Sequence, residues 1–453
     1  MHPTDAIFYH IYALGALGVL DGPRDQRNPS PISRIGDWIP AMRRVGANTM
    51  LLGPVFESEY HGYDTVDLRK VDRRLGSNQD LVELSARLRG EGMRLVLDAV
   101  LNHVGRSHPL VQEVAREGAR SPKARWIAGF DPAGPGRGGL PFAYTDWNGN
   151  HDLVKLDTGN REVRAWLTES VIGWIDEFGI SGLRIDAADC IDREFLRILG
   201  ERCRERDPSF FFVGEAVHGD HYASLLEESN LDAVTDYEAY KGLWSSHNDR
   251  NFHEIAWSLD RLFGARGLCR GKMLYSFADN HDVDRVASTL RDPAHLHTLY
   301  GLLFSMPGIP SIYYGSEFGI SGRRAPGDDR SLRPSLDPRT IPFQAPHPDL
   351  ARSIARFAAA RRASRATRTG SYRQLHVEME GIAFLREDEG DLAAIALNAS
   401  ENPLTIPVKN DALAGRTLRD LLDEGFRLRC DGQGRATIPI HPRWLRWLVP
   451  EGP

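Results

Sequence analysis

The stretch GLRIDAADC, residues 182–190, sets Arg184 and Asp186 two positions apart in an otherwise apolar run. In an extended strand alternate side chains share a face, so guanidinium and carboxylate would lie side by side. Buried charges are nearly always paired, and an ion pair that merely holds a loop is one reading of this stretch alone. Three further acids sit at or just past the ends of similar runs: Asp98 in RLVLDAV, Glu215 in FFFVGEA and Asp282 after MLYSFADN. Each acid by itself could be a helix cap or a surface charge. Four carboxylates on one rim would repel unless cations or hydrogen bonds held some of them ionised. Arg184 is such a cation, and His103 and His281 are donors close to the same ends. Glycoside hydrolysis is one chemistry that uses paired carboxylates. One acid attacks the anomeric carbon and the other protonates the leaving oxygen. An arginine beside the nucleophile keeps it charged, and a raised pKa keeps the second acid protonated.

The elements that must hold these acids repeat. Eight β-rich runs (6–14, 49–55, 94–100, 182–188, 210–216, 233–237, 273–280 and 311–317) alternate with helical patterns. In 160–178, Val163, Trp166, Leu167, Val171, Trp174, Ile175 and Phe178 fall at helical spacing, with Asn160 as cap and Gly179 as stop. Strand and helix in alternation predict parallel pairing with both faces covered. Eight units predict an α/β fold, a closed (β/α)8 TIM barrel with its function at the C-terminal strand ends. An open doubly wound sheet would want a Gly-rich phosphate turn after the first strand, and none is present. Residues 104–157 break the repeat and read as a small irregular domain inserted after the third strand. Residues 1–103 and 158–370 are then the barrel. From 371 to 453 short alternating runs predict a C-terminal antiparallel β-sandwich domain.

Composition excludes several classes. The formal net charge of the 453 residues is -6, which offers no basic surface for nucleic acid. No window of about 18 apolar residues predicts a membrane span. The start has no basic region ahead of an apolar run and reads as a first strand, not a signal peptide. Cys190, Cys203, Cys269 and Cys430 are scattered without a CxxC pair, which suggests reduced thiols in a cytoplasmic protein. HGDH (218–221) offers a metal pair or, with His218 three residues past Glu215, a sugar contact; no metal site is expected from it. Trp126, Phe130, Phe142, Tyr144 and Trp147 could stack on sugars or form the core of the inserted domain.

Taken in order, these motifs resemble the α-amylase superfamily of retaining α-glucoside hydrolases and transferases. DAVLNH (98–103), GLRIDAADC, GEAV (214–217) and FADNHD (277–282) are similar to its four short motifs at four strand ends. HGYD (61–64) and GIPSIYYGSE (308–317) are similar to two more. The resemblance covers about residues 1–370. It implies Asp186 as nucleophile, Glu215 as general acid/base and Asp282 as the third carboxylate. It implies Arg184 as partner of Asp186, and Asp98, His103, His281 and the stacking Tyr63 as ligands of the reacting sugar. Many α-amylases follow the nucleophile segment with Lys-His, which serves the next sugar and calcium. Here Asp189 and Cys190 stand there. Asn102 matches a common calcium ligand but is alone, so no cofactor is expected. DDRSLRP (328–334) resembles a segment of maltooligosaccharide- and cyclomaltodextrin-degrading members, with Asp328 and Arg333 as ligands of the sugar beyond the reacting one. The expected partner is an oligosaccharide, with no nucleic acid or membrane; a homodimer is allowed but nothing requires it. A glucanotransferase shares the same intermediate and stays open, as does a non-catalytic carbohydrate-binding relative.

Overall fold

The computed structural model describes residues 3–20 and 31–451. Expectations touching residues 1–2, 21–30 and 452–453, parts of the first barrel segment and the last domain, lie outside the described residues. Eight short strands close into a parallel barrel: β1 (Phe8–Ile11), β2 (Thr49–Leu52), β3 (Arg94–Ala99), β4 (Gly182–Ile185), β5 (Phe211–Gly214), β6 (Ala233–Thr235), β7 (Met273–Phe277) and β8 (Ile309–Tyr313). Neighbours in the ring are neighbours in sequence, and β1 closes against β8.

Phe8, Leu51, Val96, Phe211, Val213, Tyr275, Phe277 and Ile309 pack into one buried cluster that fills the barrel. From that layer the two-residue strand period climbs to the mouth. Phe8 leads to His10 and Tyr12, Val96 to Asp98, and Val213 to Glu215. Pairing puts Asp98 directly across from Arg184, with Val213 on the other side. Gly182 allows close approach, since a Cβ there would lie 2.4 Å from the Phe211 carbonyl oxygen.

The strands are shorter than their composition suggests. β4 and β5 end at Ile185 and Gly214, so Asp186 and Glu215 stand one residue beyond them. One further ladder bond holds each acid: Asp186 N–H donates to Ala99 O at 3.0 Å and Glu215 N–H to Ile185 O at 2.9 Å. Ala187 then turns left-handed, with φ 48°, and ends the extended path. β8 instead begins early, at Ile309, which belongs to the interior cluster.

The helix Arg161–Phe178 matches its expected span. Asn160 Oδ1 accepts from Glu162 N–H, and Gly179 closes the helix at φ 59°. The segment after β3 is more regular than expected. His103–Gly105, Asp146–Trp147 and Asn150–Lys155 make a three-stranded antiparallel sheet. A helix, Pro109–Glu117, buries Leu110, Val111 and Val114. At the C-terminus a six-stranded and a two-stranded antiparallel sheet enclose Leu385, Ala394, Ala396, Ile406, Val408, Ile438 and Leu448. Phe384, Ile395, Leu397 and Trp447 on the other face join the main core, so the larger sheet is covered on both sides.

Just past β8, Glu317 is fully buried and accepts from Tyr9 Oη at 2.5 Å. Burial raises its carboxyl from 4.5 to about 7. Between those values the folded chain holds a proton that the unfolded chain releases, so stability falls as pH rises across this window. Glu317→Gln keeps an acceptor for Tyr9 and removes the titration. Urea midpoints at about pH 5 and about pH 7 should show the variant gaining roughly 1–3 kcal/mol on wild type over that interval. An unchanged slope would show that another group carries the pH dependence.

Candidate active site

Arg184 is the centre of the mouth and is 4% exposed. Its Nη1 lies 2.7 and 2.8 Å from the two oxygens of Asp98 and 3.0 Å from Asp186 Oδ1. Its Nη2 lies 2.7 Å from Glu215 Oε1. One guanidinium therefore serves three carboxylates, from the ends of β3, β4 and β5. The sequence pointed to Asp186 as the partner; the strand register makes Asp98 the closer one. The second oxygen of Glu215 accepts from the Ala187 N–H at 3.1 Å.

Burial pushes the Asp186 carboxyl above the usual carboxylate range. Arg184 opposes this, while the charges of Glu215, Asp98 and Asp282 push with it. Arg184 alone does not offset burial among so many acids. Asp282 goes the other way. Burial raises it too, but His281, Arg333 and Arg184 outweigh burial and hold it well below the usual range. His281 Nε2 lies 2.8 Å from Asp282 Oδ2, and Arg333 Nη2 lies 3.1 Å from Oδ1.

Aromatic faces fix the rest. Tyr63 stacks on His281 at 5.4 Å and 10°, and its Oη donates to Asp98 Oδ2 at 2.9 Å. Tyr12 covers the ring of His281 at 5.6 Å and 18°, and Arg333 lies over Tyr12 at 4.5 Å. His103 has both ring nitrogens engaged. Nε2 donates to the Tyr63 carbonyl at 3.1 Å, and Nδ1 accepts from Asn102 Nδ2 at 3.2 Å. Burial lowers its pKa to about 3, so the ring is neutral. It lines the cavity against Trp147, 5.9 Å away at 14°.

Asp186, Glu215, Asp282, Tyr63, His103 and His218 all line one cavity of about 770 Å³. His218 is exposed on the Glu215 side. Arg333 braces Asp282 from behind and faces an adjoining cavity of about 490 Å³. Asp328 also faces that second cavity, its carboxylate 2.5 Å from Arg330. Its neighbour Asp329 lines both cavities and pairs with Arg324 at 2.9 Å and Arg333 at 3.3 Å. Of Asp328, Asp329 and Arg333, which all line the second cavity, only Asp329 also lines the larger one. Of the aromatics in 126–147, Phe142 and Tyr144 are buried in the core, Trp126 and Phe130 pack against it, and Trp147 lines the cavity. Tyr12, His10 and Asp329 were missed in the sequence. The inward series 8, 10, 12 on β1 was the signal for the first two.

Asn102 Oδ1 is buried without a hydrogen-bond partner, as a cation ligand would be. Calcium wants six to eight oxygens. Among the described residues no group of three or more His, Cys, Asp or Glu could hold a metal ion. Cys190, a soft ligand for so hard a cation, has its thiol pushed up to about 11 by burial and Asp189. Asn102 and Cys190 by themselves fall well short of such an oxygen set.

Comparison with known proteins follows the same lines. Residues 32–337 match the family model described as alpha amylase, catalytic domain. The chain is similar to the intracellular maltogenic amylase of Bacillus subtilis (strain 168), at 29% identity over 306 residues, 64% of this chain and 49% of that one. It is 27% identical to a cyclomaltodextrinase of Bacillus sp over 449 residues, 92% of this chain and 74% of the relative. The matched region thus spans about half the length of the first relative. Among solved structures, the cyclic alpha-maltosyl-(1→6)-maltose hydrolase of Arthrobacter globiformis superposes with a TM-score of 0.80 at 26% identity over 98% of both chains.

Removing the central guanidinium should expose the constraint it relieves. Arg184→Leu leaves three carboxylates without their shared cation and should lower stability in urea by about 3–5 kcal/mol. Arg184→Lys keeps the charge but loses the planar fork, so its loss should be smaller. Wild-type stability in Arg184→Leu would mean that the carboxylates do not depend on it.

Proposed function

Because the chain belongs to the α-amylase family, we propose that it is a retaining hydrolase of α-glucosidic bonds with Asp186 as nucleophile and Glu215 as general acid/base. The observation that carries this reading is that both carboxylates bond to the two arms of one guanidinium, at 3.0 and 2.7 Å. That contact keeps them close, as retention requires; retaining pairs stand about 5–5.5 Å apart and inverting pairs about 6.5–9.5 Å. Asp186 forms a bond to the anomeric carbon while the bond to the leaving oxygen breaks and Glu215 supplies its proton. Water, deprotonated by Glu215, then attacks the same carbon and frees Asp186. Asp282 stays ionised beside Arg333 and His281, accepts hydrogen bonds from sugar hydroxyls and offsets the positive charge that develops on the ring.

The substrate is a short or cyclic maltooligosaccharide. The relatives named cyclomaltodextrinase and maltogenic amylase support this, as does the charged wall of Arg324, Asp329 and Arg333 between the two cavities. Glu215 and His218 mark the leaving-group side, so that wall bounds the other side, the non-reducing end of the cleaved bond. Among the described residues no helix is long and apolar enough to cross a membrane. A cytoplasmic setting is supported by the name of the intracellular relative. A glucanotransferase remains the second reading, and the discriminating sign is a product longer than the substrate.

Time courses on maltooligosaccharides, cyclodextrins and soluble starch test the proposal together. Fresh product should be the α-anomer by NMR, kcat/KM should favour the short and cyclic substrates, and Asp186→Asn should lose nearly all turnover. Early β-anomer would refute retention, and a clear preference for starch would refute the substrate reading.

The protein also works without calcium. Excess chelator should leave Tm and turnover unchanged; a large drop in Tm reversed by calcium would overturn this.

A further inference from the structure

We infer that His10 is a positioning residue for Asp282, acting through the ring of His281. The inference rests on the reading of Asp282 as the third carboxylate of the site. His10 lies on β1, two residues above Phe8, points into the barrel and is 3% exposed. Its ring meets that of His281 edge to face, with centroids 5.1 Å apart at 78°.

His281 is approached from every side. The rings of Tyr63 and Tyr12 lie nearly parallel to it, at 10° and 18°. Asp282 lies on its Nε2, and that nitrogen also bonds Tyr63 Oη. Arg333 Nε donates to its backbone carbonyl at 3.1 Å. The carboxylate accepts, and Tyr63 Oη already donates to Asp98. Nε2 of His281 must therefore carry a proton.

This leaves Nδ1 of His281, which is buried and has no hydrogen-bond partner. Nε2 of His10 is buried and has none either. Two orphaned nitrogens on touching rings are complementary when His10 bears the proton and His281 the lone pair. Burial, with Arg184 and Arg285 as cations nearby, holds His10 well below the imidazole range and so keeps it neutral.

Stacking alone does not orient His281. A half-turn about the bond to the ring exchanges nitrogen and carbon positions yet keeps the ring plane parallel to Tyr12 and Tyr63. A polar edge favours one orientation, the one that keeps Nε2 on Asp282. His10 supplies that edge from the strand opposite the acid/base. An apolar side chain of equal size would fill the space without choosing.

The test compares His10→Phe, which keeps the ring area, with His10→Gln, which keeps a side-chain donor. Both should melt within a few degrees of wild type. His10→Phe should lower kcat by about tenfold with little change in KM, and His10→Gln should recover much of it. In protein labelled with 15N-histidine, signals assigned through His281→Gln should show His281 as the Nε2–H tautomer in wild type and as a mixture in His10→Phe. Wild-type kcat with unchanged His281 signals in His10→Phe would overturn the inference, as would equal losses in both variants. Should His10→Phe fail to fold, the tautomer in wild type and His10→Gln decides: Nε2–H in both supports the inference, and a mixture in wild type overturns it. Asp186→Asn is assayed in parallel. Activity there would sink the reading of the site, whereas an inert Asp186→Asn beside a normal His10→Phe would sink the role of His10 alone.

Discussion

The mouth of the barrel depends on one buried cation. Asp98, Asp186 and Glu215 end adjacent strands, and each carboxylate withdrawn from water carries a penalty of several kcal/mol. Arg184 answers all three at 2.7–3.0 Å with two arms of a single planar group. A lysine ammonium is a point charge and cannot span three acids in this way. The register makes the arrangement possible, because Asp98 and Arg184 are direct cross-strand partners. A slip of one residue would turn every inward side chain of β4 outward and leave the acids unanswered. The interior layer of Phe8, Val96, Phe211 and Val213 resists that slip, so apolar packing below and electrostatics above fix the same register.

Around this centre two carboxylates are driven apart. Asp186 shares its arginine with two other acids, and burial prevails. Asp282 meets both His281 and Arg333, and these partners outweigh burial. The second set depends on segments far apart in sequence: Tyr12 from the end of β1, Tyr63 from the loop beyond β2, and Arg333 from the turn past β8. Tyr12 Oη donates to the carbonyl of His61, which ties the β1 and β2 loops together beneath His281.

The acids were legible in the sequence because a charge at the end of an apolar run breaks a pattern. The barrel was legible because that pattern recurs eight times. The pairing of Arg184 with Asp186 was legible from the two-residue spacing and stands at 3.0 Å, but the closer partner Asp98 was not, because cross-strand neighbours are set by tertiary register. Asp328 lines the adjoining cavity, but its neighbour Asp329 lines both, a difference that two adjacent aspartates in one motif do not reveal. His10 and Tyr12 do not stand out, because an aromatic in a first strand looks like packing. The polarity of their surroundings is absent from their own segment. His103 lines the site cavity, where its motif puts a sugar ligand, and its nitrogens are met by Asn102 and the Tyr63 carbonyl.

Strand ends were the least legible feature, and Ala187 shows why. Alanine gives no local warning of a left-handed backbone, and for a non-glycine residue that conformation costs on the order of 1–3 kcal/mol. Here the strain has a use. Turning at residue 187 stops β4 immediately after Asp186 and swings the Ala187 N–H toward Glu215, whose Oε2 accepts it at 3.1 Å. The other oxygen of Glu215 faces Arg184. The backbone of one carboxylate's strand thus orients the other carboxylate, and the two are coupled through the main chain as well as through the guanidinium. A residue that continued the strand would remove the N–H and leave Glu215 held at one oxygen. The local conformation is over-determined by the site, which is why propensity along residues 182–188 could not foretell where the strand would end.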